Sequence, residues 1–386
     1  MSTINDLLIE TCPDGVLYVP LNTVWIRGPK SKAGARKVQA MVEGNIPCFT
    51  SGRDTHKVTD YLVDGAYVFI NDGGSADFKY NKGKAFYTDH VIAISTKDNV
   101  DTKYLYYYLQ QMREYIDENL FRGSGIKNLS ITELGNLIIP LPPLPVQAEI
   151  VRILDTFTEL IAELTAELAA RKKQYEIYRE ELLGFEGSAD VEWKKLGEVC
   201  NVHAGGTPSK SKREYWEGGS IKWLNSSVCK NRKTVEEVSD YITPLGHEKS
   251  SARLMEKGTT LIAMVGATIG KLAYLPYKAT INQNVAGVYP KDTNEVCPDY
   301  VYYACSLLYK HFMQLCQGGI ALANLTFIRG LEIPIPSLAE QERIVSILDQ
   351  FDTLTNSLTE GIPAEIELRQ KQYEFYREKL LTFKRR

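Results

Sequence analysis

Residues 150–183 read IVRILDTFTELIAELTAELAARKKQYEIYREELL. Within them Ile150, Leu154, Phe157, Ile161, Leu164, Leu168, Arg171, Tyr175, Tyr178 and Leu182 fall at alternating spacings of four and three, and only Arg171 breaks the apolar run. A strict repeat of about 3.5 residues is the mark of a coiled-coil seam, whereas a helix lying on a globular core carries a broader stripe of period 3.6. The spacing therefore predicts one long helix over 150–182 whose seam faces another helix. The same stretch returns at the C-terminus. Gln147, Ile150, Val151, Ile153, Leu154, Asp155 and Phe157 reappear 194 positions later as Gln341, Ile344, Val345, Ile347, Leu348, Asp349 and Phe351. Further on, QYEIYREELL (174–183) returns as QYEFYREKLL (372–381).

The segments between the helices repeat as well. Ala66 to Ile70, bounded by Asp64-Gly65 and by Asn71 to Gly74, reads as a buried strand between turns, and Leu261 to Val265 matches it between Gly258 and Gly266. Tyr104, Tyr106 and Tyr107 match Tyr300, Tyr302 and Tyr303; Gly125-Ile126 matches Gly319-Ile320; Pro140-Leu141-Pro142 matches Pro334-Ile335-Pro336. Thr102 to Leu120 has helical spacing throughout. The offset drifts between roughly 175 and 198, as insertions in surface loops produce. The order is globular, helix, globular, helix: an internal duplication in the α+β class. Its parts are expected at 1–140, 141–186, 187–335 and 336–386. The second helix is not a plain copy. Heptads counted forward from Ile344 and back from Leu380 meet only through a four-residue stutter at Ile362, beside Gly361 and Pro363, which predicts a kink or short break at 360–363.

At 386 residues with 24% charged residues, the chain supports two or three folded domains. The net charge of −3 is unevenly spread. Residues 1–140 carry 15 basic and 16 acidic side chains, 141–190 carry 5 and 10, 191–335 carry 17 and 13, and 336–386 carry 8 and 9. The acidic excess thus sits on the first helix, and the globular parts remain free to approach phosphate. Seven cysteines without a CxxC pair read as reduced thiols of a cytoplasmic protein. The start, MSTINDLLIE, lacks the basic and apolar regions of a signal peptide, and the most apolar window, Thr260 to Leu275, is too short for a membrane span.

Four features resemble the specificity subunit of type I restriction-modification systems. They are Cys12-Pro13-Asp14-Gly15-Val16 ahead of Pro20-Leu21; Gly205-Gly206-Thr207-Pro208-Ser209 followed by Tyr215-Trp216, Gly218-Gly219 and Ile221-Lys222-Trp223; Leu141-Pro142-Pro143-Leu144 with Gln147, repeated as Ile335-Pro336-Ser337-Leu338 with Gln341; and the endings YREELLGF and YREKLLTF. The first globular part departs from the pattern, with Gly28-Pro29-Lys30-Ser31-Lys32 standing where GGTPS stands in the second. The resemblance implies two mixed α/β target-recognition domains, joined and separated by two long antiparallel coiled-coil helices with pseudo-two-fold symmetry. It implies that each domain reads one half of a bipartite site in double-stranded DNA. The helices would hold the spacing and dock two methyltransferase (modification) subunits, which restriction subunits then join. S-adenosylmethionine, ATP and Mg would belong to those partners, with no cofactor or membrane contact for this chain. Residues 150–182 would span roughly 50 Å as a helix, about one and a half turns of B-DNA.

DNA affinity comes mainly from Lys and Arg on phosphates and specificity from base edges, so polar, basic loops are the candidate readers. In the first domain these are Lys30, Lys32, Arg36, Lys37, Arg53, Lys79, Tyr80, Asn81, Lys82 and Lys84. In the second they are Thr207, Ser209, Lys210, Lys212, Arg213, Asn225, Lys230, Asn231 and Arg232. Surface loops are rich in such residues whatever they do. The tyrosines at 104–108 and 300–303 lie in helical patterns and read as core. No catalytic constellation is apparent. Gly266 to Leu272 (GATIGKL) is one residue short of a phosphate loop and ends in Leu, so glycine packing is the better reading. There is no Asn-Pro-Pro-Tyr or Asp-Pro-Pro-Tyr run for adenine methylation, and the histidines at 56, 90, 203, 247 and 311 have no metal spacing. Two other readings stay open: a recognition subunit of a methyltransferase-nuclease outside type I, and a coiled-coil scaffold that binds only protein.

Overall fold

Short β-branched and aromatic runs between turn residues become strands, and the 3.5-residue repeats become helices. The computed structural model describes the chain apart from residues 1, 42, 53, 54, 126, 186, 189, 236, 318–321 and 358. Ile126, Gly319 and Ile320 of the repeat, and the candidate Arg53, lie outside the described residues. Two compact units result: Met1–Glu163 with Glu367–Arg386, and Leu164–Ile366.

The first unit opens with α1 (Ser2–Thr11) and β1 (Leu17–Pro20). There follow β2 (Trp25–Arg27), α2 (Ala35–Gln39), β3 (Glu43–Phe49), β4 (Thr55–Val58), β5 (Val63–Asn71), β6 (Phe78–Tyr87) and β7 (Val91–Thr96). Strands β2 to β7 make a six-stranded sheet in the order β2-β7-β5-β6-β3-β4, antiparallel except for β3 against β6. Strand β5 is central: Val68, Phe69 and Ile70 are all buried, the continuous apolar run that a strand covered on both faces needs. The helix expected over 102–120 divides at Met112 into α3 (Thr102–Gln111), whose N-cap Asp101 accepts the N–H groups of Lys103 and Tyr104, and α4 (Arg113–Asn119). A two-residue pair, β8 (Phe121–Arg122) and β9 (Asn128–Leu129), then α5 (Ile131–Gly135) and β10 (Ile138–Leu141), complete it. Strand β10 pairs antiparallel with β1, Tyr18 opposite Pro140. The long helix is α6 (Leu144–Leu183), 40 residues, with Pro145 accommodated in its first turn.

The second unit repeats the clip: β11 (Glu192–Lys195) pairs with a strand at Glu332–Ile335, Trp193 opposite Pro334. After α7 (Leu196–Val199) come β12 (Cys200–Ala204), β13 (Ile221–Leu224), β14 (Asp240–Ile242), α8 (Pro244–Glu248), β15 (Arg253–Met255), β16 (Thr260–Ala263), β17 (Leu272–Tyr274), β18 (Ala279–Ile281) and β19 (Val285–Pro290). Here the strands form two four-stranded sheets, β12-β19-β16-β17 and β14-β13-β18-β15, where the first unit has one sheet of six. The units therefore differ most in their front halves. Helices α9 (Pro298–Ser306), α10 (Tyr309–Gln317) and α11 (Leu325–Gly330) and the clip strand β20 (Glu332–Ile335) lead to α12 (Leu338–Asn356) and α13 (Ile362–Leu380).

Each helix start is locked to its own globular unit by the same contacts. Gln147 and Gln341 are fully buried; each accepts one backbone N–H (Asp101, Cys297) and donates to two backbone carbonyls (Asn99 and Pro142; Glu295 and Pro336). Tyr104 and Tyr300, also buried, donate to the carbonyls of Pro140 and Pro334. The tyrosines at 104, 107, 108, 300, 302 and 303 are all core residues.

The seam follows its period over most of its length: Ile150 and Leu154 are fully buried, and Phe157, Ile161, Leu164, Leu168, Arg171 and Tyr175 are half-buried. At its end it departs, with Tyr178 exposed, Leu182 half-buried and Leu183 fully buried. In the first unit Phe157 of α6 stacks on Tyr376 of α13, ring centres 5.3 Å apart. In the second, Tyr175 and Tyr178 of α6 lie 6.2 and 5.3 Å from Phe351 of α12. Early α6 meets late α13 and late α6 meets α12, which is antiparallel order. Between Asn356 and Ile362 the helix is interrupted. Gly361 has φ +92°, and a Cβ there would lie 2.4 Å from the Thr353 carbonyl oxygen, so the turn admits only glycine. Pro363 then sits in the first turn of α13.

Candidate nucleic-acid interface

Strand β6 sends alternate side chains to opposite faces, separating Lys79 and Asn81 from Tyr80, Lys82 and Lys84. Lys79 Nζ donates to the carbonyls of Thr50 (3.1 Å) and Gly52 (2.5 Å) and lies 3.3 Å from Asp77, so it holds the loop after β3. Asn81 closes its own turn by donating to the Gly83 and Lys84 carbonyls, both at 3.3 Å. Tyr80 packs against Tyr106, ring centres 5.9 Å apart, and its phenol is pushed above the ordinary value by burial. All three have partners within the unit. Lys82 and Lys84 are exposed, with Lys84 Nζ 4.5 Å from the centre of the half-exposed Tyr61 ring. Lys30 and Lys32, on the loop after β2, and Arg36 and Lys37, on α2, are exposed too. That loop is fixed where Tyr87 Oη donates to the Pro29 carbonyl and where Asp89 N–H donates to the Ala33 carbonyl at 3.0 Å. The result is an exposed basic segment on a braced backbone.

In the second unit Gly205 and Gly206 are spacers of another kind. Gly206 N–H donates to the Ile281 carbonyl at 2.8 Å. A Cβ on Gly205 would lie 1.7 Å from that oxygen, and one on Gly206 2.1 Å from Ser251 Oγ. The glycine pair of GGTPS thus lets two backbones cross. Both indoles tie this loop down, Trp223 donating to the Gly206 carbonyl (3.0 Å) and Trp216 to that of Ser209 (3.2 Å). Thr207 Oγ1 donates to Gln283 Oε1 at 2.6 Å, and Ser209 shares a hydrogen bond with Ser211 at 2.8 Å. Lys210, Lys212 and Arg213 are exposed; Lys212 donates to Tyr215 Oη at 3.0 Å, and Arg213 lies 3.8 Å from Glu217.

Asn225, Lys230 and Arg232 line one concavity of about 300 Å³ together with Ser227, Thr234, Glu237 and Ser239. Asn225 caps a short 3-10 turn by accepting Ser227 N–H at 2.8 Å. Lys230 lies 3.5 Å from Glu237. Asn231 does other work: at φ +56° its carboxamide oxygen accepts Leu272 N–H (2.8 Å) and its own N–H donates to the Leu272 carbonyl (2.9 Å). It fastens the loop to the edge strand β17. Asn282 N–H donates to the Leu224 carbonyl at 2.9 Å, which brings Gln283, and Thr207 bound to it, to the same end of the sheet as Asn225. Gln283 was not among the sequence candidates; the polar Ile281-Asn282-Gln283-Asn284 run closing β18 was the available signal.

The glycines between β16 and β17 make a tight hairpin in which Gly270 N–H donates to the Ala263 carbonyl. A strand follows, not the helix a phosphate loop requires. All seven cysteines are free thiols; burial pushes Cys48 up to about 11 and Cys200 and Cys229 up to about 12. No group of three or more potential metal ligands occurs among the described residues, and no described helix is long and apolar enough to cross a membrane.

Two globular units, each fastened to a helix by the same buried contacts and each presenting braced basic loops, define a duplicated recognition protein. The family model for the type I restriction modification DNA specificity domain matches residues 23–171 and again 189–368, each time a globular part with helix. The chain is 38% identical over 363 residues to the EcoR124I/EcoR124II specificity subunit of Escherichia coli, covering 88% of this chain and 87% of that one. It is 34% identical over 373 residues to a putative type I restriction enzyme specificity subunit of Haemophilus influenzae, covering 90% of each. The crystal structure of a type I restriction-modification S subunit from M. genitalium shares the fold, with TM-score 0.66, 18% identity, and 95% and 96% of the two chains covered. This chain belongs to the type I restriction-modification DNA specificity family.

Proposed function

We propose that each unit reads one half of a bipartite site in double-stranded DNA and that the chain directs methylation and cleavage carried out by its partners. The observation that carries this reading is the duplication itself: the helix-to-unit fastening is the same twice, while the loops and sheets in front of it differ. A conserved frame with divergent loops is what two readers of unlike sequences need. On this reading Lys30, Lys32, Arg36, Lys37, Lys82, Lys84, Lys210, Lys212 and Arg213 approach phosphates, and Thr207, Ser209, Asn225, Lys230 and Arg232, joined by Gln283, lie near base edges. The helical regions set the spacing of the half-sites and dock two modification subunits, with restriction subunits completing the nuclease. S-adenosylmethionine, ATP and Mg act in those partners, and the adenine to be methylated is flipped into a partner's pocket. The test is reconstitution. The purified chain alone transfers no methyl group from S-adenosylmethionine, and mixing it with its modification subunit gives site-specific N6-adenine methylation. Methylation by the lone chain would sink the reading.

A further inference from the structure

The two units fasten a helix carboxylate in the same way but draw the cation from different places. In the first, Asp155 of α6 accepts from Tyr107 Oη at 2.5 Å and from Lys103 Nζ at 2.6 Å, and Lys103 lies on α3 with Tyr107. In the second, Asp349 of α12 accepts from Tyr303 Oη at 2.5 Å, yet the position matching Lys103 is Asp299. The ammonium is supplied by Lys233, from the loop between β13 and β14. It lies 2.8 Å from Asp299 and also bonds Asp349, with its side chain 12% exposed and its Nζ 5.0 and 5.4 Å from the rings of Tyr303 and Tyr274. Asp352 faces the same cluster, its carboxyl raised by burial. Without this cation the half-exposed carboxylates of Asp299 and Asp349, with the more buried Asp352 close by, would face one another uncompensated, an arrangement that repels.

The loop bearing Lys233 also bears Asn225, Lys230 and Arg232 on the 300 Å³ concavity. One flank is held to β17 through Asn231 and Leu272. We infer that Lys233 is a positioning residue that pins the second unit's recognition loop to its helical region, a task its counterpart Lys103 does not perform for any loop of the first unit. The inference rests on the proposed DNA-reading role of residues 225–235.

The test compares Lys233→Met with Lys103→Met in the complex reconstituted with modification subunits. Two readouts are taken: amide hydrogen exchange of residues 226–235, and discrimination between the cognate duplex and duplexes altered in one half-site. Lys233→Met should speed exchange in that loop at least tenfold and cut discrimination at the second unit's half-site about tenfold, leaving the other half-site within twofold. Lys103→Met should leave both half-sites within twofold, and Lys233→Arg should restore most of the loss. If Lys233→Met does not fold, Asp299→Asn, which keeps the Asp349 contact, should shift both readouts the same way by three- to fivefold. Unchanged exchange in residues 226–235, or equal losses at both half-sites, overturns the inference. Faster exchange with unchanged discrimination upholds the pinning and overturns the assignment of this loop as a reader.

Discussion

Gln147 and Gln341, 194 residues apart, are both fully buried and make matching hydrogen bonds, accepting from Asp101 N–H at 2.8 Å and from Cys297 N–H at 2.9 Å. Their amide groups donate to the Pro142 and Pro336 carbonyls at 2.7 and 2.8 Å, which ends each proline segment and starts each helix. A glutamine suits this place because it alone offers an acceptor and two donors at that reach without charge. Gln147→Leu or Gln341→Leu would remove the partner of one half-buried N–H and of two carbonyls, of which that of Pro142 or Pro336 lies in a buried bond, and a buried unsatisfied group costs about 1–3 kcal/mol before relaxation. Each variant should lose about 2–4 kcal/mol in urea-monitored unfolding. A change below about 0.5 kcal/mol would show that water replaces the amide.

Gly361→Ala should destabilise the second helical region by about 1–3 kcal/mol, since φ +92° and the 2.4 Å approach to the Thr353 oxygen both oppose a side chain. Circular dichroism melts of Gly361→Ala and of Gly74→Ala make the comparison. Gly74 also has positive φ but open space around it, so it should cost less.

The contribution of the buried phenols to stability should be flat up to about pH 10 and fall above it. Burial pushes the Tyr87 and Tyr108 phenols up to about 12, and burial together with the hydrogen bond to a carboxylate pushes Tyr107 and Tyr303 higher still. A folded value above the unfolded one means that the protonated phenol is favoured in the fold. The contribution is complete below the ordinary value of 10 and disappears as pH rises through the folded values. Ultraviolet titration should show a fraction of the 23 tyrosines ionising only as the protein unfolds. A single midpoint near 10 for all of them in folded protein would contradict this.

An insertion of four residues beside Ala169, in the middle of α6, should change the spacer of the DNA target and neither half-site. It adds about 6 Å of helix while leaving every reader loop untouched. Methylome sequencing of a host carrying the variant reads the outcome directly, and altered half-sites would contradict a spacing role for the helix.

Much of this architecture was legible in the residues because the helical period and its repeat are local. Ile150, Leu154 and Phe157 needed only the spacing of four and three to be placed on a seam. Less could be read where a side chain's task depends on a distant backbone. Lys79 and Asn231 have the composition of DNA-contacting loops, and that each also bonds backbone groups 29 and 41 positions away was not visible in the spacing. Gly205 and Gly206 carried the family resemblance, but the reason for glycine there, room for the Ile281 backbone and Ser251, depends on segments far along the chain. The different sheets of the two units were equally hidden, since they turn on long-range pairings such as β13 with β18.

The central claim is that the two units read independently. Replacing residues 16–140 with the first domain of another family member, expressed with the modification subunits, and sequencing the methylome of the host tests it most directly. The account predicts that one half of the bipartite site changes while the other half is retained. Change in both halves, or in neither, would contradict it.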